Sequence, residues 1–174
     1  MISAGYFSAR HLLLALDAGE PTRVARAMAI EATAPRAYPT GRRLTETLFQ
    51  QSKALAQSAG NPDAIALSLL GESLMAMAEG QWKNGGMLAE QALRILRKEC
   101  TGVTWEVNVA QNLAIWALMY RGELGEVVRR VPPLLAAARN TGNLYIATEL
   151  CTRSNYAWLA ADDPDEGERE AIES

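Results

Sequence analysis

One histidine, two cysteines, seven prolines and an aromatic content of 6% in a chain of 174 residues remove several classes of protein at once. With His11 as the single imidazole, a histidine-rich metal centre or a His-activated nucleophile has almost nothing to draw on. Cys100 and Cys151 lie far apart with no Cys or His neighbour, so they read as helix-packing thiols and not as a metal site or a disulfide framework. Long apolar runs are missing too. Leu12–Leu16 follows Arg10 and His11 and closes at Asp17, short of the roughly 7–15 residues of a secretory core. Leu113–Tyr120 falls well short of the roughly 20 residues of a membrane span. The expectation is a soluble, cytoplasmic chain with no membrane contact. Charge of one sign is also scarce, since 17 Lys and Arg face 20 Asp and Glu. That balance leaves no basic field for phosphates, and nucleic acid is not an expected partner.

What the chain does have is apolar content, 49%, concentrated in Ala and Leu and spaced as helices require. Leu67, Leu70, Leu74 and Met77 step by three and four, as do Leu88, Ala92, Ile95 and Leu96. Glycines punctuate these stripes. Gly60, Gly102 and Gly142 recur about every 40 residues, and Gly80, Gly122 and an Asp162-Asp163 turn fall about 20 residues after each. Superposed, the blocks place Leu74, Trp116 and Tyr156 at one offset and Met75, Ala117 and Ala157 at the next. A large residue filling the gap between layers beside a small one that admits a neighbour is the pattern of stacked helix pairs. The expected architecture is all-α, an α-α superhelix of about four antiparallel pairs, forming one domain with units near 1–59, 60–101, 102–141 and 142–174.

Asn61-Pro62-Asp63 supplies a capping amide followed by a proline at the first helical position. Pro132 and Pro133 interrupt the stripe from Leu124 to Arg139, which is expected to be kinked or divided. Residues 20–59 are irregular and predict one helix near Pro21–Thr33, a turn at Pro35, Pro39 and Gly41, and a second near Arg42–Ala59. A short last helix is expected over Glu166–Ser174, with Glu166, Glu168, Glu170 and Glu173 forming a solvated acidic face. Neither end reads as a polar cap repeat. That suggests a piece of a longer protein and offers a route to self-association through the ends.

The search for chemistry returns little. Gly80–Met87 resembles a phosphate-binding loop only superficially, with Gly86 and Met87 where a lysine and a hydroxyl belong, and it is expected to be a helix-pair turn. His11, beside Leu12–Leu14, is expected to be a partly buried structural residue. No catalytic residue, cofactor site or metal site is expected, and the chain is not expected to be an enzyme. Arg42-Arg43, Arg94 with Arg97 and Lys98, and Arg129-Arg130 are small basic groups that suit helix C-termini or helix-surface ion pairs, with room for an acidic partner or a nucleotide phosphate. The candidate binding residues are the amides Asn108, Gln111 and Asn112 between Trp105 and Trp116, a stripe suited to a polar ligand or a peptide backbone on a concave face, joined by Arg153 one layer along.

The turn Gly80-Gln81-Trp82 with Ala89 and Ala92-Leu93 following it resembles the tetratricopeptide repeat, although the longer period is more similar to the long helical repeats of bacterial regulators. Tyr6–Pro21 (YFSARHLLLALDAGEP), Cys100–Glu106 (CTGVTWE) and Trp116–Leu124 (WALMYRGEL) resemble the C-terminal region of large bacterial serine/threonine protein kinases that carry an ATPase-like module. The resemblance implies a regulatory scaffold in signal transduction, docking a protein or peptide, with kinase and ATP-binding activity lying upstream. None of the kinase signatures is present here, so no catalytic residue transfers. The alternative is the sensor domain of a bacterial regulator, binding a small molecule within the superhelix.

Overall fold

The computed structural model describes residues 2–32 and 41–173, with the side chains of residues 2–4, 41, 42 and 173 excepted. Apolar stripes recurring at helical spacing between left-handed turns produce ten helices among these residues. They are α1 (Ile2–Ala18), α2 (Pro21–Glu31), α3 (Gly41–Ala59), α4 (Pro62–Ala78), α5 (Trp82–Glu99), α6 (Thr104–Tyr120), α7 (Leu124–Asn140), α8 (Leu144–Arg153), α9 (Tyr156–Ala160) and α10 (Pro164–Glu173). Each of α1 to α7 packs on the helix that follows it, and α8 also packs on α10. Contacts also skip one helix, joining α2 to α4, α4 to α6 and α6 to α8, so these four form one layer. The chain is all-α, with sequential helix-pair packing.

The punctuation read from the sequence is the cause of the turns. Gly80, Gly122 and Gly142 have φ of 77°, 71° and 66°, and Asp162 occupies the same place at 60°. At each of the four, the next residue's N–H reaches back over the helix end: Gln81 to Ala76, Glu123 to Leu118, Asn143 to Ala138 and Asp163 to Trp158, at 2.8–2.9 Å. These are Schellman caps, which satisfy orphan carbonyls and reverse the chain. Helix starts are equally specific. Asn61 accepts from the Ala64 N–H at 3.0 Å with Pro62 behind it, and Glu20 accepts from the N–H groups of Thr22 and Arg23, both at 2.9 Å.

Smaller apolar cores around Val24, Ala56 and Phe49 join α1 to α4, and the two largest lie from α4 onward. One joins α4, α5 and α6 through Leu70, Met77, Ala92, Leu96, Leu113 and Ala117; the other joins α6, α7, α8 and α9 through Ile115, Val127, Val131, Leu150 and Trp158. Close approach depends on missing side chains. A Cβ on Gly71 would strike the Phe49 ring at 2.0 Å, and one on Gly86 would lie 2.8 Å from the Ala117 Cβ. Arg26 of α2 pairs with Asp63 and, at 3.3 Å, with Glu106, tying α2 to the first turns of α4 and α6.

Several expectations are corrected. Of the kink or division expected at Pro132 and Pro133, division does not occur: α7 runs through both, with the prolines exposed beside buried Val131 and Leu135. The fourth unit breaks instead. Asn155 donates from its side chain to the Cys151 carbonyl at 3.2 Å and to that of Gly167 at 2.8 Å, so an amide takes the place of a helix bond and separates α8 from α9. His11 is exposed on α1 and is not partly buried. Glu170 is not part of a solvated face, since it is buried at 5% exposure between α7 and α8 partners. Gly85 and Gly86, expected in a turn, lie inside α5, and the turn is confined to residues 79–81. Thr33, Pro35, Pro39 and Ser174, and the side chains of Arg42 and Glu173, lie outside the described residues.

Candidate functional site

Helix α6 touches α4, α5, α7 and α8, and it carries five of the six candidate residues. At about 100° per residue, Trp105 and Trp116 share one side of the helix while Gln111 sits about 120° away. The structure therefore splits the stripe. Trp105 is 58% exposed, whereas Asn108, Gln111 and Asn112 are buried. The Asn112 Nδ2 is enclosed and meets no acceptor among the described residues. Gln111 accepts from Arg97 of α5 through its Oε1. The amides do not form a continuous exposed row.

Trp116 and Arg153 lie together. The Arg153 guanidinium stands 5.2 Å above the Trp116 ring, and its Nε lies 3.4 Å from Glu149 one turn earlier on α8. Trp116, Met119, Tyr120, Leu124, Arg153 and Tyr156 line a cleft of about 610 Å³ opening between α6, α8 and α9. Tyr120, 66% exposed, stacks on Trp82 of α5 with ring centroids 4.1 Å apart and an interplanar angle of 12°. The aromatic surface thus continues from α9 across α6 to the start of α5. Its rings are large, rigid and amphipathic, and a cation already lies over one of them, which suits an apolar or aromatic side chain entering beside a polar backbone.

Sequence reasoning named Trp116 and Arg153 but passed over Tyr120 and Tyr156. The signal was present. Tyr156 shares the repeat offset of Trp116, and Tyr120 lies four residues on from Trp116, so both were bound for one side of adjacent helices.

A second concavity lies on the opposite side of α6, between α5 and α7. Here Arg94 and Arg97 on one wall face Arg129 and Arg130 on the other, two basic groups that the sequence presents as unrelated. Arg130 pairs with Glu90 across the gap and with Glu126 on its own helix. Hydrogen bonding from Arg129 holds the Glu126 carboxyl below its usual range, and the same bond raises Arg129.

Among the described residues no three His, Cys, Asp or Glu side chains converge as metal ligands would, and no helix is long and apolar enough to cross a membrane. Cys100 and Cys151 are not bonded to each other. Burial pushes the Cys100 thiol up, aided by Glu99 and Glu106 and opposed by Arg26, which keeps it protonated and poorly nucleophilic near neutrality. No known family model matches the chain, and comparison with curated proteins finds no match.

Proposed function

We propose that this chain is a non-catalytic interaction module, a tetratricopeptide-like α-α superhelix that docks a segment of a partner protein. The observation that carries the reading is the aromatic cleft of half-buried Trp116 with exposed Tyr120 and Tyr156, built from successive units of the repeat and holding no group poised for catalysis. Trp, Tyr and Arg concentrated around a concavity are the side chains that dominate binding energy at interfaces. By the resemblance of Tyr6–Pro21, Cys100–Glu106 and Trp116–Leu124, the module belongs to the C-terminal regulatory part of a bacterial serine/threonine protein kinase, in the cytoplasm, where docking biases catalytic modules upstream.

Selection of displayed random peptides on the purified chain, with counter-selection on Trp116→Ala, tests the docking role. The expected result is a set of peptides with an apolar or aromatic anchor that bind the native chain and shift its tryptophan emission. If every enriched peptide binds the variant equally well, the cleft is not the docking site. The coding sequence on either side tests the kinase assignment, which requires kinase and ATPase-like motifs upstream in the same frame.

A second reading, a small-molecule sensor, is favoured by the cleft volume of about 610 Å³, which falls in the range of ligand pockets. A metabolite that quenches Trp116 emission in the native chain and leaves a Trp116→Phe variant silent would select it over the peptide reading.

A further inference from the structure

We propose that the groove between α5 and α7 is a second docking site, taking an acidic, extended segment of a partner protein. It lies on the side of α6 away from the aromatic cleft and stands whether or not that cleft binds peptide.

Helices α5 and α7 both pack on α6 and leave a trough floored by Ala114, Ile115 and Leu118 of α6. It consists of two cavities of about 380 and 740 Å³ that share Glu90, Ala114 and Arg130, so the Glu90–Arg130 ion pair crosses it where the two meet. Arginines dominate the walls. Arg94, Arg97, Arg121, Arg129 and Arg130 face Glu90, Glu123 and Glu126, a local surplus of positive charge in a chain whose formal charge is -3. Arg94 has no ionic partner among the described residues, and Arg97 spends its hydrogen bond on the neutral Gln111. Gln111 is 9% exposed and lines the trough; its Oε1 is taken by Arg97, and its Nε2 donates to no protein group among the described residues. The trough therefore offers unspent donors above an apolar floor.

An extended peptide presents alternate side chains to opposite sides. One with apolar residues directed at Ile115 and Leu118 would hold its carboxylates at the rim of the trough, within reach of the exposed Arg94 and Arg97, where guanidinium–carboxylate hydrogen bonds are strong and directional. The trough lining contains no aromatic ring on which bases could stack, which favours an acidic peptide over single-stranded nucleic acid.

Fluorescence anisotropy on the purified full chain tests this with a labelled peptide of alternating Glu and Leu, its Lys-Leu counterpart and a labelled oligothymidylate. The expected result is salt-sensitive binding of the Glu-Leu peptide alone, weakened about tenfold by Arg94→Glu with Arg97→Glu and weakened also by Gln111→Met, with helicity by circular dichroism unchanged. Trp116→Ala leaves it unaltered, which separates this site from the cleft. Absence of binding, equal binding of the Lys-Leu peptide, tighter binding of the oligonucleotide, or loss of binding only in Trp116→Ala would each overturn the proposal.

Discussion

Arg139 of α7 closes on Glu170 of α10 with both arms of its guanidinium, Nη1 donating to Oε1 at 2.8 Å and Nη2 donating to Oε2. The Glu170 side chain is 7% exposed and also accepts from the Cys151 thiol at 3.4 Å, so one carboxylate fastens α10 to both α7 and α8. A bidentate pair of this kind fixes orientation as well as distance.

Glu170→Gln is expected to lower stability at neutral pH by about 1–3 kcal/mol, the cost of weakening charge-assisted bonds to a largely buried group. The Arg139 hydrogen bonds, reinforced by Cys151 and opposed by burial, hold the Glu170 carboxyl below its ordinary value of 4.5. Because the folded value is depressed, this stabilisation is fully present above 4.5 and is lost as pH falls through the folded value. Urea unfolding at a series of pH values should therefore show the native chain and the variant converging as pH drops below 4.5, and a gap of constant size would contradict the assignment.

Asp162 sits at φ 60° in a turn where Gly80, Gly122 and Gly142 fill the equivalent place. An L-residue there carries a backbone cost that glycine avoids, and aspartate carries less of it than most. Asp162→Gly is expected to raise stability by up to about 1 kcal/mol, whereas Gly122→Ala should lower it by about 1 kcal/mol or more. Thermal midpoints of the two variants, moving in opposite directions, check this.

Glycines inside helices separate by what surrounds them. A Cβ at Gly125 meets nothing within 4 Å, so Gly125→Ala is expected to gain up to about 1 kcal/mol from helix propensity. A Cβ at Gly86 would lie 2.8 Å from the Ala117 Cβ, and α5 would have to move from α6. Gly86→Ala should therefore cost about 1–3 kcal/mol despite the same propensity gain. Equilibrium unfolding of both variants tests the contact between the two helices.

The positions of the turns were legible in the sequence because a left-handed residue leaves a chemical mark: glycine, or aspartate, at a repeated offset. The Asn61-Pro62 cap was legible for the same reason. What escaped were features set by groups distant in sequence. Glu170 reads as one of several carboxylates in an acidic segment, and nothing local shows that Arg139 and Cys151 enclose it. Pro132 and Pro133 read as breakers because each removes a backbone donor, yet the packing of Val127, Val131 and Leu135 keeps α7 in one piece. In the candidate site, spacing by three and four grouped Gln111 with Asn108 and Asn112, yet the helix turns Gln111 toward Arg97 and a different groove. The meeting of Arg94 and Arg97 with Arg129 and Arg130 depends on α6 lying between their helices, which no local pattern encodes.

Asn112 gives the last expectation. It lies on the same helix as Trp116, is 4% exposed, and its Nδ2 finds no acceptor among the described residues. An enclosed donor without a partner costs about 1–3 kcal/mol, and a leucine of similar length removes that cost without opening a void. Asn112→Leu is therefore expected to raise stability by up to about 2 kcal/mol while leaving peptides selected on the Trp116 cleft bound as before. Chemical denaturation and peptide anisotropy on the same variant read the two effects separately. A loss of peptide binding with stability unchanged would show instead that the amide reaches the occupant of the cleft, and would return Asn112 to the binding surface that the sequence suggested.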